Sequence, residues 1–132
     1  MKKDIQMPKV TGVKLCIGKS TNELGESEWY VYLINKNLIE LTNVMIVSKG
    51  YESDNKDARQ TSKLRHMIKQ VAPQSAAKVE AISPEVFSFY NEFWVSYYII
   101  NELFDKKFIV GPFQEFELET IEEIDLKGRL AT

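Results

Sequence analysis

The amino-acid sequence predicts an all-β domain built as a sandwich of two antiparallel sheets. Short runs of β-branched and aromatic residues recur along the chain, as in 29–34, 44–47 and 93–101. Polar and glycine residues interrupt these runs at intervals of roughly ten residues, which is typical of a sandwich. The chain has 132 residues, enough to bury one core without a metal or a disulfide. We therefore expect a single domain over 1–132.

The first part of the chain contains three predicted strands. Apolar residues alternate over 13–17, as in a strand with one buried face. Residues 29–34 are apolar on both faces, which is typical of a central strand covered from two sides. The asparagines of 35–37 can hydrogen-bond their own backbone and so favour a turn before the strand over 44–47. Residues 1–10 are expected to form a flexible arm.

The middle of the chain contains a predicted mobile loop and one ambiguous segment. Charged and amide side chains dominate 52–60, which offers no large apolar anchor, so the loop over 51–61 is expected to be mobile. In 62–72 the apolar spacing fits a helix capped by Ser62, and periodicity favours that helix. A strand there would agree better with the rest of the chain. The next strand is predicted over 78–82.

The last part of the chain predicts one short helix and three strands. Ser83 can cap a helix and Pro84 suits its first turn, which favours a helix over 84–90. The elements that follow are a long strand over 93–101, a hairpin turn over 104–107, a strand over 108–110, a one-sided strand over 115–119 and a frayed tail over 126–132. This count predicts an immunoglobulin-like sandwich of about seven strands with one short helix.

Composition restricts the function classes. A net charge of −2 is too near neutral to predict attraction to nucleic acid or to a membrane surface from charge alone. The single cysteine, Cys16, excludes an intramolecular disulfide and indicates a reducing compartment. The N-terminus lacks the apolar stretch of a signal peptide, and no run reaches the ~18 apolar residues of a membrane span. We expect a cytoplasmic protein with neither a membrane nor a nucleic-acid partner.

Residues that support catalysis are scarce. A nucleophile needs a base beside it, and the only histidine is His66. Cys16 and His66 form the sole conceivable nucleophile–base pair, but Cys16 lies in a predicted strand where nothing favours its thiolate. One His and one Cys cannot close a metal site without several carboxylates. We therefore expect no catalytic residue, no metal and no cofactor.

Fifteen aromatic residues (two Trp, six Tyr and seven Phe) favour an interaction role. A two-layer sandwich buries one face of each sheet, so some side chains of 29–34 and 93–100 would meet water unless loops or a partner cover them. The candidate binding residues are Trp94 and Tyr98 from these aromatic runs, with Lys63, Arg65 and His66 as a possible anion site.

These residues favour a non-catalytic protein-interaction module that associates as a homodimer. The alternative is a small-ligand-binding protein, or an enzyme, with a pocket between the sheets.

Several segments resemble a family of small uncharacterised bacterial proteins. The similar stretches are 29–35, 46–51, 61–66, 91–95, 106–108 and the terminal Lys127-Gly128-x-Leu130-Ala131. Some members carry the label of a phenylalanyl-tRNA synthetase subunit. This chain is too short for a synthetase catalytic core, so the resemblance implies an accessory role near tRNA aminoacylation as a third option. It implies no catalytic residues, and it favours a strand over 62–72.

Overall fold

The computed structural model describes residues 10–52, 59–61 and 63–132. The described part of the chain contains nine strands and two short 3₁₀ helices, so the all-β prediction is confirmed. The strands are β1 (Val13–Thr21), β2 (Ser27–Asn35), β3 (Leu41–Tyr51), β4 (Leu64–Val71), β5 (Ser75–Ala81), β6 (Tyr90–Ile99), β7 (Glu102–Val110), β8 (Glu119–Ile121) and β9 (Leu126–Leu130). The 3₁₀ helices are Pro84–Ser88 and Glu115–Glu117.

The strands form two antiparallel sheets. The five-stranded sheet has the order β5-β2-β1-β9-β8, and the four-stranded sheet has the order β4-β3-β6-β7. Both sheets contribute to one apolar core, which confirms the predicted sandwich. The residues at its centre are Leu15, Val31 and Leu33 from the five-stranded sheet, and Val44, Ile46, Phe93 and Val95 from the four-stranded sheet.

The short helix closes one end of this core. Ser83 is its N-cap and accepts a hydrogen bond from the Glu85 N–H, as the sequence predicts for the start of a helix. Phe87 packs edge-on against Trp29, with ring centroids 4.7 Å apart, and against Phe113 at 4.6 Å. The predicted helix is therefore present, as a 3₁₀ turn that ends at Ser88.

A second apolar cluster covers the outer face of the five-stranded sheet. The turn between β8 and β9 folds over this face, where Ile121 and Ile124 pack against Tyr32. Glu123 in this turn pairs with Lys14 at 3.1 Å and Lys36 at 3.4 Å. This layer explains why 29–34 is apolar on both faces without a second chain.

The pKa of the Glu123 carboxyl is lowered by its own backbone N–H and by the Lys14 ammonium. A depressed carboxyl pKa means that the pairing stabilises the fold at neutral pH and is lost as the pH falls through the lowered pKa.

The prediction of a frayed tail over 126–132 is wrong. Residues Leu126–Leu130 form β9, which pairs with β1 in the register Cys16↔Leu130. Beyond β9, the Ala131 N–H donates to the Leu15 carbonyl at 2.9 Å. The prediction treated the segment as a free terminus, whereas Gly128 packs directly on the backbone of β1.

Three local predictions are corrected or decided by backbone pairing. The predicted turn over 104–107 lies inside β7, and the chain turns instead at 100–101, where Ile100 has a φ of +58°. The one-sided strand over 115–119 is a 3₁₀ turn, with strand β8 only from Glu119. Segment 62–72 contains a strand, β4, because its residues pair with β3 along the whole of Leu64–Val71.

Two sequence predictions fall largely outside the described residues. The predicted arm over 1–10 is represented only by Val10, which packs against the main core. The predicted mobile loop over 51–61 is described only at its ends. There the Glu52 N–H donates to the Arg59 carbonyl at 2.9 Å, in a hairpin-like pairing. The mobility of both segments stays a prediction.

Tyr97 provides a test of the core. Its ring is fully buried and stacks on Phe104 at 5.3 Å, while its hydroxyl has no hydrogen-bond partner among the described residues. Burial raises the pKa of this phenol to about 12. Because an unpaired buried hydroxyl is destabilising, Tyr97→Phe is expected to raise the free energy of unfolding by about 1 kcal/mol.

Urea denaturation of Tyr97→Phe measures this effect, with the exposed Tyr98→Phe as its control. A loss of stability in Tyr97→Phe alone would contradict the assignment and indicate that the hydroxyl has a partner.

Candidate functional site

The outer face of the four-stranded sheet, called here the exposed face, carries a patch of large apolar side chains. Met67 is 68% exposed, Trp94 45% and Met45 40%. The other exposed apolar members are Tyr98 and Leu103. The two sheets therefore differ in the exposure of their outer faces, because the outer face of the five-stranded sheet lies under the β8–β9 turn.

Strand register arranges this patch in rows across the sheet. One row runs Arg65, Val47, Trp94 and Lys107 from β4 to β7. The next row runs Met67, Met45, Ser96 and Asp105. In a third row, Tyr98 of β6 pairs with Leu103 of β7. Neighbouring strands lie about 4.8 Å apart, so side chains within a row are in lateral contact range.

Polar contacts hold Trp94 in place on the exposed face. The indole Nε1 donates to Asp105 Oδ2 at 3.0 Å, and Lys107 Nζ lies 5.8 Å from the centre of the ring system. Glu92 lies between Lys49 at 3.9 Å and Lys107 at 3.7 Å. The patch thus has an oriented aromatic side chain beside a rim of charged residues.

The five binding residues predicted from the sequence do not form one site. Arg65, Trp94 and Tyr98 share the exposed face. Lys63 is exposed and immediately precedes β4. His66 lies on the opposite side of β4, where its Nε2 is 3.1 Å from Glu80 Oε1 of β5. The predicted anion cluster is thus divided between two faces of the sheet.

A cavity of about 270 Å³ lies on the inner side of the four-stranded sheet, next to the short helix. Its lining includes Ser48 and Leu64 from β3 and β4, Glu80 from β5, Val86 from the helix, and Asn91 and Phe93 from β6. The sequence suggested a pocket between the sheets but did not identify its residues. Glu80 could not be predicted as a site residue, because nothing in the sequence around it distinguishes it from a solvent-exposed carboxylate on a strand.

Cys16 and His66 do not form the nucleophile–base pair that the sequence left conceivable. Cys16 is buried in the outer cluster of the five-stranded sheet, whereas His66 belongs to the four-stranded sheet. Burial raises the pKa of the Cys16 thiol to about 12. A buried thiol that stays protonated is a poor nucleophile.

The native protein is therefore expected to leave Cys16 unmodified by Ellman's reagent at pH 8. One thiol per chain should react after denaturation in guanidinium, which serves as the internal control. Rapid reaction of the native protein would mean that the β8–β9 turn opens readily over β1.

Among residues 10–52, 59–61 and 63–132, no group of three or more His, Cys, Asp and Glu side chains is placed to hold a metal ion. Within the same described residues, no helix is both long and apolar enough to cross a membrane. No protein-family model matches the chain, and no curated protein or solved structure shows significant similarity to it.

Proposed function

We propose that this protein is a non-catalytic interaction module that binds a protein partner through the exposed face. The observation that carries this proposal is the difference between the two sheets. The outer face of one is covered within the chain, and the outer face of the other leaves Met67 and Trp94 largely accessible. Trp, Tyr and Arg dominate binding energy at protein interfaces, and Met adapts to varied partner shapes.

We infer further that the first seven strands follow an immunoglobulin-like order. Strands β1, β2 and β5 share one sheet, and β3, β4, β6 and β7 share the other. Immunoglobulin-like domains place strands A, B and E together, opposite C, F and G, with C′ beside C in the variable type. If β1 to β7 correspond to strands A, B, C, C′, E, F and G, the two sheets have the orders E-B-A and C′-C-F-G. This agreement supports the inference. The hairpin of β8 and β9 is then an addition beside strand A.

The partner that we propose first is a second copy of the chain. A face-to-face pairing would cover Trp94 and Met45 of both copies at once, and two-fold symmetry is the commonest way to do so. Wild-type protein is then expected to exceed the 15.3 kDa monomer mass in light scattering at high micromolar concentration.

Trp94→Lys tests whether the exposed face is the interface. Because Trp94 is 45% exposed, the variant should fold normally, as judged by circular dichroism and its melting temperature. Its association should weaken at least about tenfold, as expected for an aromatic hot spot. Phe116→Lys is the matched control, since Phe116 is an exposed aromatic residue outside this face.

A wild-type chain that stays monomeric at these concentrations would refute the dimer. The interaction role would then be tested by affinity capture, with wild type, Trp94→Lys and Phe116→Lys as baits. A partner retained equally by all three would contradict the assignment of the exposed face.

A further inference from the structure

We propose that the cavity beside the short helix binds a small ligand with one primary ammonium group on an apolar body. The cavity has a volume of about 270 Å³. A cavity of about 150 Å³ is known to hold benzene. The volume is therefore sufficient for a ligand of the size of benzylamine, and this proposal is independent of the exposed face.

Apolar side chains from three elements contribute to the lining of the cavity. Leu64 comes from β4, Val86 from the short helix and Phe93 from β6. Phe93 is almost fully buried and belongs to the main core, so this wall is rigid. Such a lining favours the hydrocarbon part of a ligand and disfavours a sugar or a nucleotide.

Glu80 supplies the charge that an ammonium group requires. Its side chain is only 11% exposed, and Oε1 lies 3.1 Å from His66 Nε2. Among the described residues, no lysine or arginine pairs with this carboxylate, and its second oxygen has no hydrogen-bond donor. A ligand ammonium would bring a permanent positive charge to this carboxylate, whose neighbour His66 carries one only when it is protonated.

The Asn91 side-chain amide and the Gly50 N–H also line the cavity, and both donate within the protein. Asn91 donates through Nδ2 to the carbonyls of Val86 at 2.8 Å and Phe89 at 3.3 Å, so its donors are already used. Its Oδ1 faces Gly50, where an added Cβ would lie 3.2 Å from it. The Gly50 N–H donates to Thr61 Oγ1 at 2.7 Å and is not available to a ligand.

Ser48 and Lys49, two further polar residues of the lining, do not reverse this preference. Ser48 is buried, and its hydroxyl can accept or donate. Lys49 contributes to the lining, but its Nζ is directed to Glu92 at 3.9 Å and to the Tyr51 ring at 5.8 Å. The cavity therefore offers chiefly acceptors, together with one carboxylate, to a ligand that brings donors.

Titration of ¹⁵N-labelled full-length protein with benzylamine tests the proposal, with benzyl alcohol as the uncharged probe of the same shape. Benzylamine is expected to give saturable shifts of the Val86 and Phe93 amides and to bind at least about tenfold more tightly than benzyl alcohol. Equal binding of the two probes, or no saturation by benzylamine at millimolar concentration, would overturn the proposal.

Glu80→Gln keeps the shape of the side chain and removes its charge. It is expected to lower the affinity for benzylamine at least about tenfold and to leave benzyl alcohol unchanged. Glu102→Gln, at an exposed position of β7, is the matched control and should bind like the wild type. Unchanged benzylamine binding by Glu80→Gln would refute the role of the carboxylate. Should Glu80→Gln fail to fold, the comparison of the two probes on the wild type decides the proposal.

Discussion

Replacement of Gly128 by alanine is expected to destabilise the protein by about 3 kcal/mol, through overpacking against a backbone that cannot move away. A Cβ at this position would lie 2.5 Å from the Ile17 carbonyl oxygen and 3.3 Å from the Gly18 Cα. Both atoms belong to β1, which is paired with β2 on its other side. Relief of the clash would therefore separate β9 from β1 and open the outer layer.

Urea denaturation of Gly128→Ala measures this loss, and Gly111→Ala is its control. An added Cβ at Gly111 would meet its nearest atom, Tyr90 Cε2, at 3.9 Å, which is an ordinary contact. The control should stay within about 1 kcal/mol of the wild type. Similar stability of both variants would show that β9 is not held against β1 as described.

Asn35→Ala is the second change with a large expected effect. Asn35 is fully buried at the end of β2, and its Nδ2 donates to the carbonyls of Ile39 at 3.0 Å, Val71 at 3.3 Å and Ala72 at 3.1 Å. Its Oδ1 accepts from the Asn37 N–H at 3.0 Å. One amide thus joins the 35–39 turn to the end of β4, and its removal leaves several polar groups without partners. We expect a loss of about 3 kcal/mol.

Thermal and urea denaturation of Asn35→Ala measure this loss, with Asn37→Ala as the control. The Asn37 side chain makes one exposed hydrogen bond, to the Thr11 carbonyl at 3.3 Å, so its removal should cost less than about 1 kcal/mol. If Asn35→Ala lost as little stability as Asn37→Ala, the prediction would be wrong, and water would have to replace the hydrogen bonds of the amide.

The sequence allowed prediction of those elements whose evidence is local. Alternation identified β1, and a run of β-branched and aromatic residues identified β6. Ser83 identified the start of the short helix, and Asn35 identified the turn after β2 through its own side chain. In each case the information lies within a few residues of the element. Trp94 and Tyr98 were likewise correctly grouped, because residues four apart in a strand share a face.

Elements that depend on distant partners were missed or left undecided. The polar residues of 104–107 resemble a turn, yet they continue β7 because each pairs with β6, as Lys107 does with Trp94. For 62–72 the sequence left helix and strand open, and pairing with β3 decides for the strand. Glu80 and His66 meet only because β4 and β5 belong to different sheets that approach at this edge. No local pattern contains that information.

The pairing of β1 with β9 also affects the rate of folding and the risk of aggregation. These strands come from opposite ends of the described chain, yet they are neighbours in the five-stranded sheet. Pairings of such high sequence separation slow folding to the range of milliseconds to seconds, because loop-closure entropy is lost before the contacts form. Until β9 docks, the open edge of β1 and the uncovered Tyr32 and Ile34 are available to other chains. During synthesis or refolding, aggregation therefore competes most directly with the docking of β9 onto β1.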